Sequence, residues 1–171
     1  MTRFEREKHF RLLVSELAED VRSQQMKNFI QHGRITTYDH CMRVARLSYL
    51  LNNALKVKSN EKELIRGAFL HDYFLYDWHK DYVLKKAPEN WFYPLKLVHQ
   101  FFHLHGFTHP QSAMENAKRD FNLTDKEAQI IRSHMWPLTF FHPPKSREAV
   151  LVCAADKIAS LQETVAMRRA K

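Results

Sequence analysis

Glycine is scarce in this chain, and that scarcity limits which folds the backbone can adopt. The 171 residues include only three glycines and six prolines. Glycine supplies the left-handed conformations that tight turns require, and proline interrupts helices. A chain with so few of either favours helices joined by short connections. Because the length suits one domain with a single core, we expect an all-α domain, residues 1–171, of about six or seven helices.

Apolar spacing and capping residues predict where most of these helices lie. Apolar residues at helical intervals predict an amphipathic helix over residues 4–31, ended by Gly33. A cap at Thr36 or Thr37 begins a second helix that reaches about residue 55. Four later segments start at cap residues of their own. They are 60–72, 108–121, 124–136 and 146 onward, and a further helix is expected near 92–103.

His71 and Asp72 close the apolar run of residues 64–70, where a charged pair has no packing purpose. A carboxylate and an imidazole are costly in apolar surroundings unless something compensates them. A divalent metal compensates both, because neutral imidazole and ionised carboxylate are among its ordinary ligands. The pair therefore predicts a metal site at the end of this helix.

Further ligand-type residues follow at intervals of about one helix and a connection. Two metal ions would need a bridging carboxylate, for which Asp72 is the candidate, and several terminal ligands. Sharing an ion requires these groups to lie within about 8 Å of the dyad. The expected ligands of one ion are His40, His71 and Asp156, and those of the other are His109 and His134.

Each of these residues also has an ordinary structural explanation. A single helical histidine such as His40 is more often a packed or exposed residue than a ligand. His109 could be a loop histidine, and Asp156 could pair with Lys157. His105 competes with His109 for one ligand position and is a candidate additional ligand or substrate group. The ordered set is nevertheless much more specific than any of its members.

This ordered set resembles the HD-domain superfamily of metal-dependent phosphohydrolases over residues 36–160. The resemblance includes the flanking residues of the first histidine, of His109 and of the late aspartate. Within the superfamily the chain is similar to a group of small bacterial HD-domain proteins that are predicted hydrolases. Segments 40–45, 109–113 and 155–158 carry the likeness to the superfamily, and segments 71–79, 105–110 and 134–138 carry the likeness to the smaller group.

The resemblance implies hydrolysis of a phosphate ester or anhydride by a metal-bound hydroxide that Asp72 positions across the ions. Many superfamily members carry a phosphate-binding lysine three residues after the dyad, where this chain has Leu75. That role could pass to Arg43, Lys157 or Lys80, or could be unfilled. Of these, Arg43 and Lys157 are the expected catalytic cations that stabilise the phosphoryl charge.

The expected cofactor is a divalent metal, two ions in all, with iron or manganese favoured and zinc, cobalt, nickel or magnesium compatible. The expected substrate is a small phosphorylated molecule and specifically a nucleotide, because the net charge is +8 and aromatic residues are abundant between residues 73 and 102. A solvated basic surface explains the charge equally well. Candidate substrate-binding residues are Asp77, Trp78, His79 and Lys80, which could equally form a turn.

Several other classes fit the sequence less well. We expect no membrane segment and a cytoplasmic location, because no long apolar run or signal peptide is present and the two cysteines form no CxxC pair. Nucleic acid is not an expected partner, since no dense Lys/Arg block occurs, and the sequence leaves the oligomeric state open. Two alternative functions remain, a non-catalytic nucleotide- or RNA-binding module and a di-iron oxygenase using the same site.

Overall fold

A computed structural model of the protein describes residues 2–76 and 105–169, except for the side chains of His32 and His105. Seven α-helices dominate this part of the chain, which confirms the all-α class. A 3₁₀ turn over Gln25–Asn28 and a small two-stranded sheet are the other regular elements described. The elements are α1 (Arg3–Glu19), α2 (Val21–Gln24), β1 (Ile30–His32), β2 (Ile35–Thr36), α3 (Thr37–Ala54), α4 (Glu61–Leu70), α5 (His105–Asp120), α6 (Asp125–Ser133) and α7 (Arg147–Arg169).

The N-terminal helix is shorter than its apolar spacing predicts. α1 ends at Glu19 because Asp20 has an extended backbone, with φ −64° and ψ 129°. The Asp20 side chain accepts a hydrogen bond from the backbone N–H of Arg22 and so caps α2. The predicted single helix over residues 4–31 is therefore wrong, because Asp20 gains an N-cap hydrogen bond by leaving the helix.

Gly33 lies in a β-hairpin and does not end a helix as predicted. β1 and β2 pair antiparallel, and Gly33 between them has a φ of 58°, which glycine adopts at little cost. A Cβ atom at this position would collide with the side chain of Met167, so Gly33 also lets the hairpin approach α7. Thr37, the first residue of α3, bonds through its backbone N–H to the carbonyl of Phe29 just before the hairpin. The hairpin is thus fixed beside the start of α3.

The later helices follow their predicted caps closely. Thr36 and Thr124 each form a capping box at the start of α3 and α6, and Ser146 accepts a hydrogen bond from the backbone N–H of Ala149 at the start of α7. α5 begins at His105, three residues before its predicted cap, and contains Pro110. Proline lacks an N–H, so Pro110 removes one backbone hydrogen bond from this helix. The helix predicted near 92–103 lies outside the described residues.

α3 and α4 form the centre of the described bundle. α3 packs against α4 and α7, and α6 packs against α4, α5 and α7. The shared core is apolar and includes Val44, Leu64, Phe69, Ile131 and Val152. Within the described residues, no helix is both long enough and apolar enough to cross a membrane.

Gly67 marks the closest approach of α4 to α6. A Cβ atom on Gly67 would lie 2.8 Å from Cγ2 of Ile130 and 3.0 Å from its Cβ. Cβ of Ile130 is bonded to the α6 backbone and Cγ2 is bonded to that Cβ, so neither atom has much freedom to move away. Glycine at this position therefore lets the two helices pack at their observed separation.

We predict that Gly67→Ala lowers the free energy of unfolding by about 1–3 kcal/mol, as overpacking of a core does. At an unobstructed helical position the same substitution would raise that free energy by roughly 1 kcal/mol. Urea unfolding followed by circular dichroism measures the difference. In an Ile130→Ala background the penalty should shrink, and an equal penalty in both backgrounds would contradict the contact.

Candidate metal centre

The six predicted ligands come from five helices and meet in the core. All six side chains are buried, and Asp72 is only 2% exposed. His40 and Asp156 lie well inside the distance of about 8 Å that sharing an ion with the dyad requires. His40 comes from α3, His71 and Asp72 from the end of α4, His109 from α5, His134 from the end of α6 and Asp156 from α7.

The ends of α4 and α6 hold two of the histidines in the same way. His71 and His134 are the C-cap residues of these helices. Their Nδ1 atoms lie 2.8 Å from the carbonyl oxygen of Ala68 and 2.7 Å from that of Ile131. Carbonyl oxygens in the last helical turn lack helical partners and can only accept. Each Nδ1 therefore carries hydrogen, and in the neutral ring Nε2 keeps the lone pair that binds metals.

His40, His71 and Asp156 form the first cluster of ligand atoms. Oδ1 of Asp156 lies 3.3 Å from Nε2 of His40 and 3.7 Å from Nε2 of His71. Two ligand atoms on one ion lie roughly 2.8–3.6 Å apart when the metal–ligand bonds are about 2.0–2.2 Å long. Both separations are therefore within a few tenths of an ångström of those expected for ligand atoms on one ion.

Asp72, His109 and His134 form a second cluster beside the first. Oδ1 of Asp72 lies 3.2 Å from Nε2 of His109 and 3.4 Å from Nε2 of His134. The two imidazole Nε2 atoms are 2.9 Å apart. These separations also match those of ligand atoms on one ion.

The carboxylate of Asp72 divides its oxygens between the two clusters. Oδ1 faces His109 and His134, whereas Oδ2 lies 3.4 Å from Nε2 of His71 and 3.9 Å from Nε2 of His40. A carboxylate in this position can bind one ion through each oxygen, which is the arrangement expected of a bridging ligand.

Two buried atoms of the dyad support a fit between these residues and a cation. Nε2 of His71 and Oδ1 of Asp72 make no hydrogen bond with any residue in the described part of the chain. Buried polar atoms are almost always satisfied, so both need another partner. A divalent cation would satisfy them, and mixed imidazole and carboxylate ligands suit iron, manganese and zinc among others.

The buried carboxylates give the site a negative electrostatic potential. Burial raises the pKa of Asp72, but His71 and His109 hold that pKa well below its ordinary value. Burial lowers the pKa of His40, yet hydrogen bonds with Asp156 and Glu163 raise it to about 10. His134 differs, because burial lowers its pKa and favours the neutral ring. The carboxylates therefore favour positive charge at His40 and His71, whether a proton or a metal supplies it, whereas burial outweighs them at His134.

Two polar residues that the sequence did not single out contact the ligands. Gln31 in β1 donates from Nε2 to Oδ2 of Asp72 at 2.8 Å. Glu163 in α7 places Oε2 3.0 Å from Nδ1 of His40. Glu163 follows Asp156 by seven residues, a helical spacing that could have identified it. Gln31 had no sequence signal, since the hairpin that carries it was predicted as helix.

The two predicted catalytic cations have protein partners in this structure. Nη1 of Arg43 lies 3.4 Å from Oε1 of Glu163. Nζ of Lys157 donates to the backbone carbonyls of His134 at 3.1 Å and Cys153 at 3.3 Å. Both cations therefore lie near predicted ligands, and their role in binding phosphoryl groups stays a prediction.

Other predicted site residues lie outside the described part of the chain. These are Asp77, Trp78, His79 and Lys80, together with the side chain of His105. Leu75, at the position where the superfamily resemblance leads one to expect a lysine, is described and has a φ of 56°.

Comparison with known protein families identifies the architecture around these clusters. A family model for the HD domain matches residues 37–161. The chain belongs to the HD domain family. HD domains are in general metal-dependent hydrolases, and the matched span of this HD domain contains all six predicted ligands. No curated protein and no solved structure matches the chain.

We predict that Mn²⁺ or Fe²⁺ stabilises the chelator-treated protein. A ligand at 100 times its dissociation constant adds about 2.7 kcal/mol to the free energy of unfolding. For a chain of this size that gain raises the melting temperature by roughly 5–10 °C. Thermal unfolding with and without metal, under anaerobic conditions for Fe²⁺, measures the shift.

A matched pair of variants tests where the metal acts. Asp72→Asn should abolish the shift, because the amide removes the charge that faces both clusters. Asp125→Asn changes an exposed aspartate at the start of α6 and should keep the full shift. A normal shift in Asp72→Asn would place metal binding elsewhere on the protein.

Proposed function

We propose that this HD domain is a phosphohydrolase in which Asp72 bridges two divalent cations. The proposal depends on one observation, the division of the Asp72 oxygens between two sets of imidazoles. A carboxylate that bound a single metal ion, or formed a single salt bridge, would not need buried imidazoles beside each of its two oxygens. In the proposed site His40, His71 and Asp156 hold one ion, and His109 and His134 hold the other.

When bound, such cations lower the pKa of a coordinated water and neutralise charge on phosphoryl oxygens. The chain's own residues make this possible by fixing the ligands before substrate arrives. Gln31 donates to Oδ2 of Asp72 and so restricts rotation of the carboxylate between the clusters. The carbonyls of Ala68 and Ile131 hold His71 and His134 with Nε2 toward the site. Burial of all six ligands limits competition from bulk water.

A small phosphorylated molecule is the proposed substrate class, and a nucleotide is the proposed member. The net charge of +8 attracts polyanions to the protein. Arg43 and Lys157 are the proposed cations for the phosphoryl group. Arg43 contacts Glu163, which contacts the proposed ligand His40, and Lys157 donates to the backbone carbonyl of the proposed ligand His134. Arg43 is also 42% exposed, so part of its guanidinium is accessible. Iron and manganese are the proposed metals on the basis of the mixed donor set.

We predict metal-dependent release of orthophosphate from at least one member of a nucleotide panel. The assay uses chelator-treated protein supplied with Mn²⁺, Fe²⁺ or Co²⁺, and anaerobic conditions for iron. Asp72→Asn should reduce turnover on the order of 10²–10⁴-fold, because a Lewis acid contributes several kcal/mol to the transition state. Asp125→Asn should retain turnover, since its side chain is exposed at the start of another helix.

The number of ions can be tested separately from activity. Metal analysis should give two ions per chain in the wild type and one in His134→Ala, because that variant removes a ligand of the second cluster alone. Protein that binds nucleotide without metal and without turnover would support the binding-module alternative. Substrate-dependent oxygen consumption in place of phosphate release would support the oxygenase alternative.

A further inference from the structure

Glu163 is a buried acid that the proposed chemistry does not use. Its side chain is 0% exposed, and it lies two residues beyond the span that matches the HD domain. A buried carboxylate is unfavourable unless its charge is paired and its oxygens are satisfied. The contacts of Glu163 therefore need an explanation of their own.

Glu163 and Asp156 hold opposite edges of the His40 ring from one face of α7. Seven residues make nearly two helical turns, so the two acids point in almost the same direction. Oε2 of Glu163 lies 3.0 Å from Nδ1, and Oδ1 of Asp156 lies 3.3 Å from Nε2. An ionised carboxylate can only accept, so hydrogen resides on Nδ1 beside Glu163. Nε2 faces Asp156 in the same way, so a cation that binds Nε2 would displace its hydrogen while the hydrogen on Nδ1 stays beside Glu163.

Arg43 contacts the other oxygen of the same carboxylate. Oε1 of Glu163 lies 3.4 Å from Nη1 of Arg43, which follows His40 by three residues in α3. Among the described residues Oε1 accepts no hydrogen bond, so this contact is an ion pair, and the positive charge of the guanidinium favours an oxygen over an NH₂ group at this position. Arg43 therefore offsets the buried charge and distinguishes Oε1 from Oε2.

We propose that Glu163 is a positioning residue that holds His40 in its metal-binding tautomer, and that Arg43 fixes the orientation of Glu163. This inference rests on the proposed role of His40 as a ligand. His71 and His134 are oriented by main-chain carbonyls. His40 depends instead on a side chain, so its tautomer can be changed by substitution.

With this arrangement, Glu163→Gln should disrupt metal binding by His40 more than the loss of one negative charge alone would. The amide offers one oxygen, which accepts, and one NH₂ group, which donates. Arg43 attracts the oxygen, and the NH₂ group then donates to Nδ1 of His40. This hydrogen bond stabilises the tautomer with hydrogen on Nε2, which cannot bind a metal. Partners behind a ligating histidine typically change metal affinity by about 10–100-fold.

The test is a titration of the full chain with Mn²⁺ after chelator treatment, with free Mn²⁺ measured by electron paramagnetic resonance. E163Q should lower the affinity for one of the two Mn²⁺ ions by about 10–100-fold and leave the affinity for the other unchanged. Adding Arg43→Met should return the affinity to that of Arg43→Met alone, because the amide can then turn its oxygen toward His40. A structural defect would not be rescued by removing a second polar residue.

Glu127 provides the matched control. It is also buried, 2% exposed, and pairs with Arg66 at 2.7 Å outside the metal centre. E127Q should lower the melting temperature and leave Mn²⁺ affinity unchanged. An equal loss of affinity in E127Q and E163Q would overturn the proposed role of Glu163.

The remaining outcomes separate this inference from the proposed function. Wild-type affinity in E163Q, or no recovery in the double variant, would overturn the role of Glu163 alone. Absence of Mn²⁺ binding by the wild type would remove the proposed function itself. If E163Q does not fold, ¹H–¹⁵N NMR of the Zn²⁺-loaded wild type reads the His40 tautomer directly. Hydrogen on Nδ1 is expected, and a bare Nδ1 would overturn the proposal.

Discussion

The buried carboxylate of Asp72 is the constraint on which the rest of this structure depends. A nearly inaccessible charge is tolerated in a helical core only if groups of opposite polarity surround it. Here four imidazoles from four different helices lie within 3.9 Å of its two oxygens. The bundle must therefore bring those helices together at one point, which explains why α3, α4, α5 and α6 all direct a histidine inward.

The imidazoles impose a second requirement. Each ring directs Nε2 toward the site only if a hydrogen-bond acceptor fixes its other nitrogen, Nδ1. The helix ends meet this requirement for His71 and His134, whose partners are carbonyls left unpaired in the final turn. His40 lies inside α3, where backbone carbonyls are already used, so a side chain must serve. Glu163 does so from α7, and Arg43 offsets the charge that this solution buries. The site thus extends from the ligands into the bundle.

The sequence predicted the fold class and the later helices because their causes are local. The capping box of Thr124 and Glu127 lies within four consecutive residues and was readable directly. The helix predicted over 4–31 failed for a related reason, since apolar spacing continued past Asp20 while the cap of that residue ended the helix. Gly33 likewise fits either a helix end or a hairpin, and the pairing of the two short strands that flank it decided between them.

The order of His40, the His71-Asp72 pair and Asp156 by itself determined the family and predicted imidazole and carboxylate metal ligands, because residue identity fixes donor chemistry. Which oxygen of Asp72 faces which imidazole was decided only by the tertiary structure, since that depends on how helices cross. The same holds for Gln31 and Glu163, whose contacts with Asp72 and His40 span 41 and 123 residues of chain. Chemistry at a single position is encoded locally, whereas the direction of a side chain toward a distant partner exists only once the core has packed.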